Sequence, residues 1–453
     1  MAANVTLTIV EGSLKGKKYT FRERTTCLIG RANECKIKLP SDRDHRFISR
    51  YHCFLDINPP DIRIRDFGSK NGTYVNDQKI GQRQQNQTPS EGSKISFPEY
   101  DLKMGDRVLL GSTIFQVQIA LPAVTSDTID IAKIKIKPAP PPHFPNLLGF
   151  IKNLLQRANQ GEKELANLKH YKIIEKLGQG GCGVVYLALN QTNGELVALK
   201  ILLPQIAASP RHIEKFQREI ANTQALNHPN VVKLRDFGYC DGIFFFTLEY
   251  CEMGSVLQLM QQKGRPLTVG ESLPIILQIL DGLHYAHHAD IPYVKLHDGT
   301  IAKGRGLVHR DIKPGNIFLT QISDRCIAKI GDYGLAKAFD RAGLSGQTLT
   351  GSSAGTPAYM PRQQVIDFKY AKPAVDVWAT AATLYTLLTG DIPRNLTQTD
   401  PLLAVLRTNP IPIRERNPNI PKSLAEVIDR ALIDIPDIPF QTALEFKQAL
   451  ENF

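Results

Sequence analysis

The chain has 453 residues, 42% hydrophobic and 22% charged; 55 Lys plus Arg against 44 Asp plus Glu give a net charge of +11 and a pI near 9.2. This length makes about three domain-sized units with room for real cores. The composition excludes a mainly disordered chain, a collagen-like fibre and a small disulfide scaffold.

The positive charge is concentrated at the start. Residues 1–120 hold 19 basic and 13 acidic side chains, residues 121–170 hold 7 and 4, and the remainder 29 and 27. A basic surface attracts nucleic acid, anionic lipid or phosphorylated protein, and charge alone does not choose among them. The seven cysteines are odd in number, form no C-x-x-C pair and have no accompanying His cluster. They read as reduced thiols of a cytoplasmic protein, not as a disulfide framework or zinc site. The opening MAANVTLTIVEGSLKGKKY lacks the basic-then-apolar profile of a signal peptide, and no run approaches ~18 apolar residues, so no membrane span is expected.

Residues 4–119 carry short runs of β-formers: VTLTIV, KKYTF, TTCLIG, KIKL, HCFLDI, DIRIRDF, TYVN, RVLLG and TIFQVQI. Turn clusters such as Glu11-Gly12-Ser13, Gly68-Ser69 and Asn71-Gly72 separate them, the pattern of a sandwich or barrel. Next comes KPAPPPHFP at 137–145, a Pro-rich spacer, and then Leu147, Ile151, Leu154, Leu155 and Ala158 at helical spacing. That spacing predicts an amphipathic helix of about four turns ending near Gly161, whose apolar face packs on a neighbouring domain. From Tyr171 strands return (YKIIEKLG, GVVYLAL, LVALKIL), followed by a helix around 211–226 and strands up to Glu249. Beyond Gly254 helical patterns dominate. The expected organisation is therefore a β-rich domain at 1–120, a linker with a helix at 121–170, and a bilobal α+β domain at 171–453, its small lobe about 171–250 and its large lobe about 251–453.

Gly178-Gln-Gly180-Gly-Cys-Gly183-Val-Val185 lies between two strands. Glycines let backbone N–H groups approach a polyphosphate, although plain hairpins use them too. A strand follows them, which argues against a dinucleotide fold. Val197-Ala198-Leu-Lys200 then sets a lysine in an apolar strand, where it needs an anionic partner. Glu219, on the next expected helix, is a candidate carboxylate. Further on stand Val308-His309-Arg310-Asp311-Ile-Lys313-Pro-Gly-Asn316 and, sixteen residues after Asn316, Asp332-Tyr333-Gly334.

This order, G-x-G-x-x-G-x-V, V-A-x-K, H-R-D-x-K-x-x-N and D-[FY]-G, resembles a eukaryotic-type protein kinase over about 171–453. The resemblance implies ATP and Mg²⁺ as cofactors and phosphoryl transfer to protein hydroxyls. By it, Lys200 holds the α/β-phosphates and pairs with Glu219, Asp311 accepts the substrate proton, Lys313 steadies the γ-phosphate, and Asn316 and Asp332 hold Mg²⁺. Gly178, Gly180, Gly183, Val185, Ala198, Glu249 and Cys251 line the nucleotide pocket, with Leu248 gating it. Lys313-Pro314 and Gly355-Thr356-Pro357-Ala-Tyr359-Met resemble the Ser/Thr branch, the EC 2.7.11.1 type. Arg310 implies a switchable activation segment, with Thr348 and Thr350 as phosphoacceptor candidates.

Two departures stand out. The family's A-P-E reads Pro361-Arg362-Gln363, and the stretch expected to supply its Arg reads Ile435-Pro436-Asp437-Ile438-Pro439. Gln363 and Pro439 thus replace both members of the family's ion pair, which reads as lost. Between His287 and His309 about fifteen extra residues (DIPYVKLHDGTIAKGRG) form either a surface loop or a docking element.

In the first domain Ile29-Gly30-Arg31, Ile48-Ser49-Arg50-Tyr51-His52 and Gly68-Ser69-Lys70-Asn71-Gly72-Thr73 resemble a forkhead-associated (FHA) domain, a phosphothreonine reader. By that resemblance Arg31 and Ser49 hold the phosphate, Arg50 and Lys70 add charge, and Asn71 binds peptide backbone. His52 reads as structural. The combination looks like a bacterial serine/threonine kinase that writes phosphate and reads phosphothreonine on itself, in cis, or on partner proteins, in trans. The fifty-residue linker spans roughly 40 Å as a flexible coil, enough for either. A pseudokinase scaffold is the alternative, motivated by the altered A-P-E. Nucleic acid is not an expected partner, since no basic recognition helix or aromatic-interleaved strand is visible.

Overall fold

The computed structural model describes residues 4–22, 25–59, 61–84, 87, 97–120, 147–160, 168–180, 183–202, 220–240, 243–295, 301–333, 357–366, 372–396 and 401–453. The Pro-rich spacer at 137–145, Glu219, most of the expected helix around 211–226, and the Thr348 and Thr350 candidates lie outside them. The chain gathers into two compact units. One draws on residues 1–129, 357–385 and 391–440, the other on 130–356, 386–390 and 441–453.

The first unit opens with eleven described strands: β1 (Asn4–Glu11), β2 (Lys18–Phe21), β3 (Thr25–Gly30), β4 (Ile37–Lys38), β5 (Cys53–Asn58), β6 (Asp61–Asp66), β7 (Thr73–Val75), β8 (Gln78–Gly81), β9 (Tyr100–Leu102), β10 (Arg107–Leu110) and β11 (Thr113–Ala120). They form two sheets, β2-β1-β11-β10-β7-β8 and β4-β3-β5-β6-β9. Alternation builds the core between them. Val5, Leu7 and Ile9 of β1 and Phe115 and Val117 of β11 are buried with Cys27, Ile29, Leu55, Ile57 and Ile64 of the other sheet. This is the sandwich expected from the sequence. It adds two short edge strands, β8 and β9, whose QKIG and YDL give little β signal.

The loop after β6 is organised by a buried carboxylate. Asp66 Oδ1 accepts from the Gly68 and Ser69 amides at 2.8 and 2.9 Å, and Oδ2 accepts from the Ser69 and Thr73 hydroxyls, both at 2.6 Å. Gly72 takes a φ of +89° in the same loop.

The same unit contains the helices Arg362–Ile366, Pro401–Arg407, Ile413–Arg416 and Lys422–Ala431, with most of Ala374–Thr389. Trp378 is fully buried among them and donates Nε1–H to the Leu432 carbonyl at 2.9 Å. Here the structure corrects the expectation of a lost ion pair. Gln363 and Pro439 do not pair, but a buried ionic cluster stands in the same region with other members. Asp434 pairs with Arg362 on one oxygen and Arg394 on the other, and all three side chains are at most 4% exposed. Gln363 donates Nε2–H to the Asp434 backbone carbonyl at 2.9 Å. The acid immediately precedes the stretch Ile435-Pro436-Asp437, and one of the two cations lies on the first residue of the helix that follows Pro361.

The second unit holds an antiparallel sheet of β12 (Tyr171–Gly180), β13 (Gly183–Asn190), β14 (Leu196–Leu202), β15 (Leu234–Cys240) and β16 (Ile243–Glu249), in the order β12-β13-β14-β16-β15. Its two faces have different work. Val197, Leu199 and Ile201 point to a core roofed by Leu155 and Ala158 of the helix Leu147–Asn159. The predicted amphipathic helix is thus present and packs on this sheet. Ala198 and Lys200 alternate to the opposite face. Below lie the helices Val256–Lys263 and Val269–His288 and the hairpin β19 (Ile317–Ile322)–β20 (Arg325–Ile330). The extra residues before His309 are no plain surface loop: β17 (Asp290–Lys295) and β18 (Ile301–Arg305) pair antiparallel. The β-formers Ile291, Tyr293 and Val294 of DIPYVK carry the strand signal that reading the segment as an insertion obscured.

Removing the Asp66 carboxylate leaves two hydroxyls and two amides of the loop without their acceptor. Asp66→Ala is expected to lower the local opening free energy of residues 67–73 by about 3 kcal/mol. Hydrogen exchange read by mass spectrometry then shows amide exchange about 100-fold faster there, with the sheets' core amides unchanged.

Candidate functional site

Two clusters carry chemistry, one in each unit. In the second unit Lys200 reaches Asp332, Nζ to Oδ1 at 2.6 Å, with side chains 14% and 31% exposed. Strand pairing explains why Lys200 is there. Val185 lies directly opposite it on β13, and Ala198 lies opposite Leu248 on β16, so these four side chains share one face. Asp332 is held in the left-handed region at φ +55°. Its neighbours fix it from both sides. The Gly331 amide donates to the Asn316 carbonyl at 2.8 Å, Thr223 donates its hydroxyl to the Tyr333 carbonyl at 3.0 Å, and the Tyr333 hydroxyl donates to the Leu307 carbonyl at 3.1 Å.

The loop 307–316 is equally constrained. His309 Nδ1 accepts the Asp311 amide at 3.2 Å, which leaves Nε2 protonated to donate to the Gly331 carbonyl at 3.0 Å. Arg310 takes a φ of +67°, a strained value for a side chain of its size. Asn316 spends its amide nitrogen on Asp311, 2.8 Å from the backbone oxygen and 2.9 Å from Oδ2. Lys313 Nζ sits 3.1 Å from the same Oδ2. The Asp311 carboxylate is therefore oriented by an amide and a cation at once.

These residues fit a nucleotide with a divalent cation. Asn316 keeps its carbonyl oxygen and Asp332 its carboxylate as hard donors for a divalent cation, which draws its remaining ligands from phosphate and water. Gly178 has open space where a Cβ would stand. Gly183 has a different reason. A Cβ there would fall 2.0 Å from the Ile201 carbonyl oxygen, so the close pass of β13 over β14 requires it. Gly180 lies at the end of β12. The Glu249 carboxylate is already committed, bonded to Lys329 Nζ at 2.9 Å and to the Lys233 amide at 3.2 Å. Cys251 is buried, which pushes its thiol up to about 12 and keeps it protonated. Sequence reasoning missed Lys329; its position in RCIAKI reads as an exposed strand residue.

In the first unit the loops after β3, before β5 and after β6 bring Arg31, Ser49, Lys70 and Asn71 together. Arg31 donates Nε–H to the Ile48 carbonyl at 2.5 Å, which fixes its fork through the nitrogen that a bidentate grip by the two terminal nitrogens does not use. Ser49 Oγ accepts the Lys70 amide at 3.0 Å, and Asn71 Nδ2 donates to the Phe47 carbonyl at 2.7 Å. The Arg50 side chain is exposed, while its carbonyl accepts the Ala32 amide at 2.9 Å. Gly30 is needed for that approach rather than for a turn, since a Cβ would lie 2.1 Å from the Arg50 oxygen. His52 locks two loops together. Its Nδ1 accepts the Ser49 amide at 3.0 Å and its Nε2 donates to the Gly72 carbonyl at 3.0 Å. The ring is fully buried and burial holds its pKa below the ordinary value, against a weaker upward pull from Asp66.

A lysine–aspartate pair and an oriented Asp in one unit, with a sandwich carrying an arginine–serine loop cluster in the other, define the class of a phosphoryl-transfer enzyme joined to an anion-reading module. The chain belongs to the protein kinase family: the protein kinase domain model matches residues 171–437, and the FHA domain model matches residues 27–98. Probable serine/threonine-protein kinase pknA2 of Bifidobacterium longum is 33% identical over 226 residues, covering 49% of this chain and 27% of that protein. Tyrosine-protein kinase MasK of Myxococcus xanthus is 30% identical over 292 residues, covering 62% and 43%. The chain thus spans less than half the length of these curated relatives. Among solved structures, the Mycobacterium tuberculosis PknI kinase domain is 25% identical, with a TM-score of 0.47, covering 62% of this chain and 96% of that one. Among the described residues no helix is long and apolar enough to cross a membrane.

The His52 geometry gives a pH prediction. Above the ordinary value of 6.5 the ring is neutral folded and unfolded, so its contribution is fully present. As pH falls below that value the unfolded chain takes up a proton that the folded site resists, and stability declines by up to about 1.4 kcal/mol per pH unit. Urea unfolding at pH 7.5 and 5.5, followed by the protection of residues 49–52, is expected to show this loss, and His52→Gln to remove most of the difference.

Proposed function

We propose that this chain is an ATP- and Mg²⁺-dependent serine/threonine protein kinase that phosphorylates its own activation segment, with an FHA domain that reads phosphothreonine on itself or on partner proteins. The observation that carries the reading is the joint arrangement of Lys200 against Asp332 and of Asn316 and Lys313 on Asp311. The proposed domains are the reader at 1–120, a connector at 121–170 and the catalytic domain at 171–453.

In this reading Lys200 binds the α/β-phosphates, and Glu219 supplies its second carboxylate. Val185, Ala198 and the backbone of Glu249 and Cys251 enclose the base. Asp332 and Asn316 hold Mg²⁺, which when bound neutralises phosphate charge. Asp311 orients the substrate hydroxyl and takes its proton as the hydroxyl oxygen bonds to the γ-phosphorus and the bond to ADP breaks. Lys313 stabilises the oxygens of the transferred group. Thr348 and Thr350 are the proposed phosphoacceptors. At the reader, Arg31 and Ser49 grip phosphate, Arg50 and Lys70 add charge, and Asn71 bonds the peptide. The scaffold alternative loses its motivation, because the gap left at Gln363 and Pro439 is filled by Arg362, Asp434 and Arg394.

The test is γ-phosphate transfer by the purified chain with Mg²⁺ and ATP, the modified residues mapped by mass spectrometry. Asp311→Asn is expected to lower transfer by about 10²- to 10⁴-fold. Label is expected on Thr and Ser; label confined to Tyr contradicts the substrate class. Arg31→Ala is expected to weaken phosphothreonine-peptide binding by about 10- to 100-fold without lowering transfer to an added peptide.

A further inference from the structure

The residues that close the substrate-positioning loop, Met360, Pro361 and Arg362, are gripped by their backbone. Arg394 donates from NH1 to the Met360 carbonyl at 2.9 Å, and the Arg362 amide donates to Asp434 Oδ2 at 2.9 Å. The grip is itself braced. Asp434 bonds the guanidinium groups of both Arg362 and Arg394. Arg362 further donates from Nε to the Leu406 carbonyl at 3.1 Å and from NH2 to the Thr408 carbonyl and Asn409 Oδ1. Arg394 lies over the Trp378 ring at 4.6 Å and donates Nε–H to the Thr408 carbonyl at 3.1 Å.

This arrangement reverses the polarity that the family pattern implies. There the acid follows the loop and the arginine comes late in the chain. Here arginine follows the loop, the acid comes late, and a second arginine from the 390s joins it. Two cations on one anion is an expensive thing to bury. Burial above all pulls the Arg394 guanidinium down to about 10, with Asp434 acting in the opposite direction and the Arg362 charge adding to the fall. A merely structural plug would be met more cheaply by apolar side chains of the same volume. What apolar side chains cannot do is donate to the Met360 carbonyl and accept the Arg362 amide.

We propose that Arg362, Asp434 and Arg394 are positioning residues that set the substrate-binding segment ending at Met360, with Asp434 as the shared anion. The proposal rests on the kinase reading above. The three side chains act through the loop and touch neither ATP nor the reacting atoms. Their loss therefore falls on the protein substrate and leaves the nucleotide site alone.

The experiment measures steady-state transfer to an added Ser/Thr protein substrate by the full chain, varying substrate and ATP separately. It is paired with hydrogen exchange over residues 357–366 and with the melting temperature. The variants are Asp434→Asn, Arg362→Glu, and the double variant Arg362→Glu with Asp434→Arg. The double variant restores the family's polarity and keeps the cluster's net charge. Asp434→Asn and Arg362→Glu are expected to lower kcat/KM for the protein substrate by about 10- to 100-fold, with the KM for ATP within about twofold of wild type and exchange faster at 360–363. The double variant is expected to recover about tenfold of the Arg362→Glu loss. Losses that fall equally on ATP and protein substrate and track the melting temperature overturn the proposal, as does a double variant no better than Arg362→Glu. A wild-type chain that transfers no phosphate to any substrate overturns the kinase reading and this proposal with it.

Discussion

A lysine in an apolar strand has to find an anion, and the catalytic half of this molecule follows from how Lys200 does so. The alternation of β14 turns Val197, Leu199 and Ile201 to a core roofed by the helix Leu147–Asn159 and delivers Lys200 to the other face. There it meets Asp332 at 2.6 Å. An unpaired ammonium at that depth would cost far more than the pairing returns. The pair is therefore a constraint on everything that carries Asp332, from the left-handed backbone at Asp332 to the hydrogen bonds of Gly331 and Tyr333.

The two units use one device to hold their working loops. In each, a buried histidine accepts a backbone amide on Nδ1 and donates from Nε2 to a distant carbonyl. His309 joins the Asp311 amide to Gly331, and His52 joins the Ser49 amide to Gly72. A neutral imidazole suits this role because it is a donor on one edge and an acceptor on the other, with no charge to bury. His309 stands two residues from Asp311, the proposed proton acceptor, and His52 three residues from Ser49, proposed to grip phosphate, so ring orientation is converted directly into loop position.

Much of this was legible in the sequence because the signals were local. The long strands β1 and β11 of the sandwich alternate along their length, the glycine loop and its lysine stand on adjacent strands, and the run from His309 to Asn316 is short. What stayed hidden depends on contacts between distant segments. Nothing near Gly30 or Gly183 reveals that each is required by a carbonyl from another segment, at Arg50 and Ile201. Asp66 precedes its loop without a pattern to mark it as the acceptor of four hydrogen bonds. In place of an ion pair at Gln363 and Pro439 stand Arg362, one residue before Gln363, Asp434, five residues before Pro439, and Arg394, well away from both in sequence. Substitution of both partners together looks like a deletion when only the expected positions are compared. The short edge strands β8 and β9 stayed hidden because QKIG and YDL hold few β-formers.

The most direct test of the account is a calorimetric titration of ATP into the full chain, with Mg²⁺ and with chelator, for wild type, Asp332→Asn and Asp311→Asn. The account predicts that Mg²⁺ tightens ATP binding at least about tenfold in wild type and in Asp311→Asn, and that Asp332→Asn abolishes the gain. Equal affinity with and without Mg²⁺ in wild type, or a gain that survives Asp332→Asn, would contradict it.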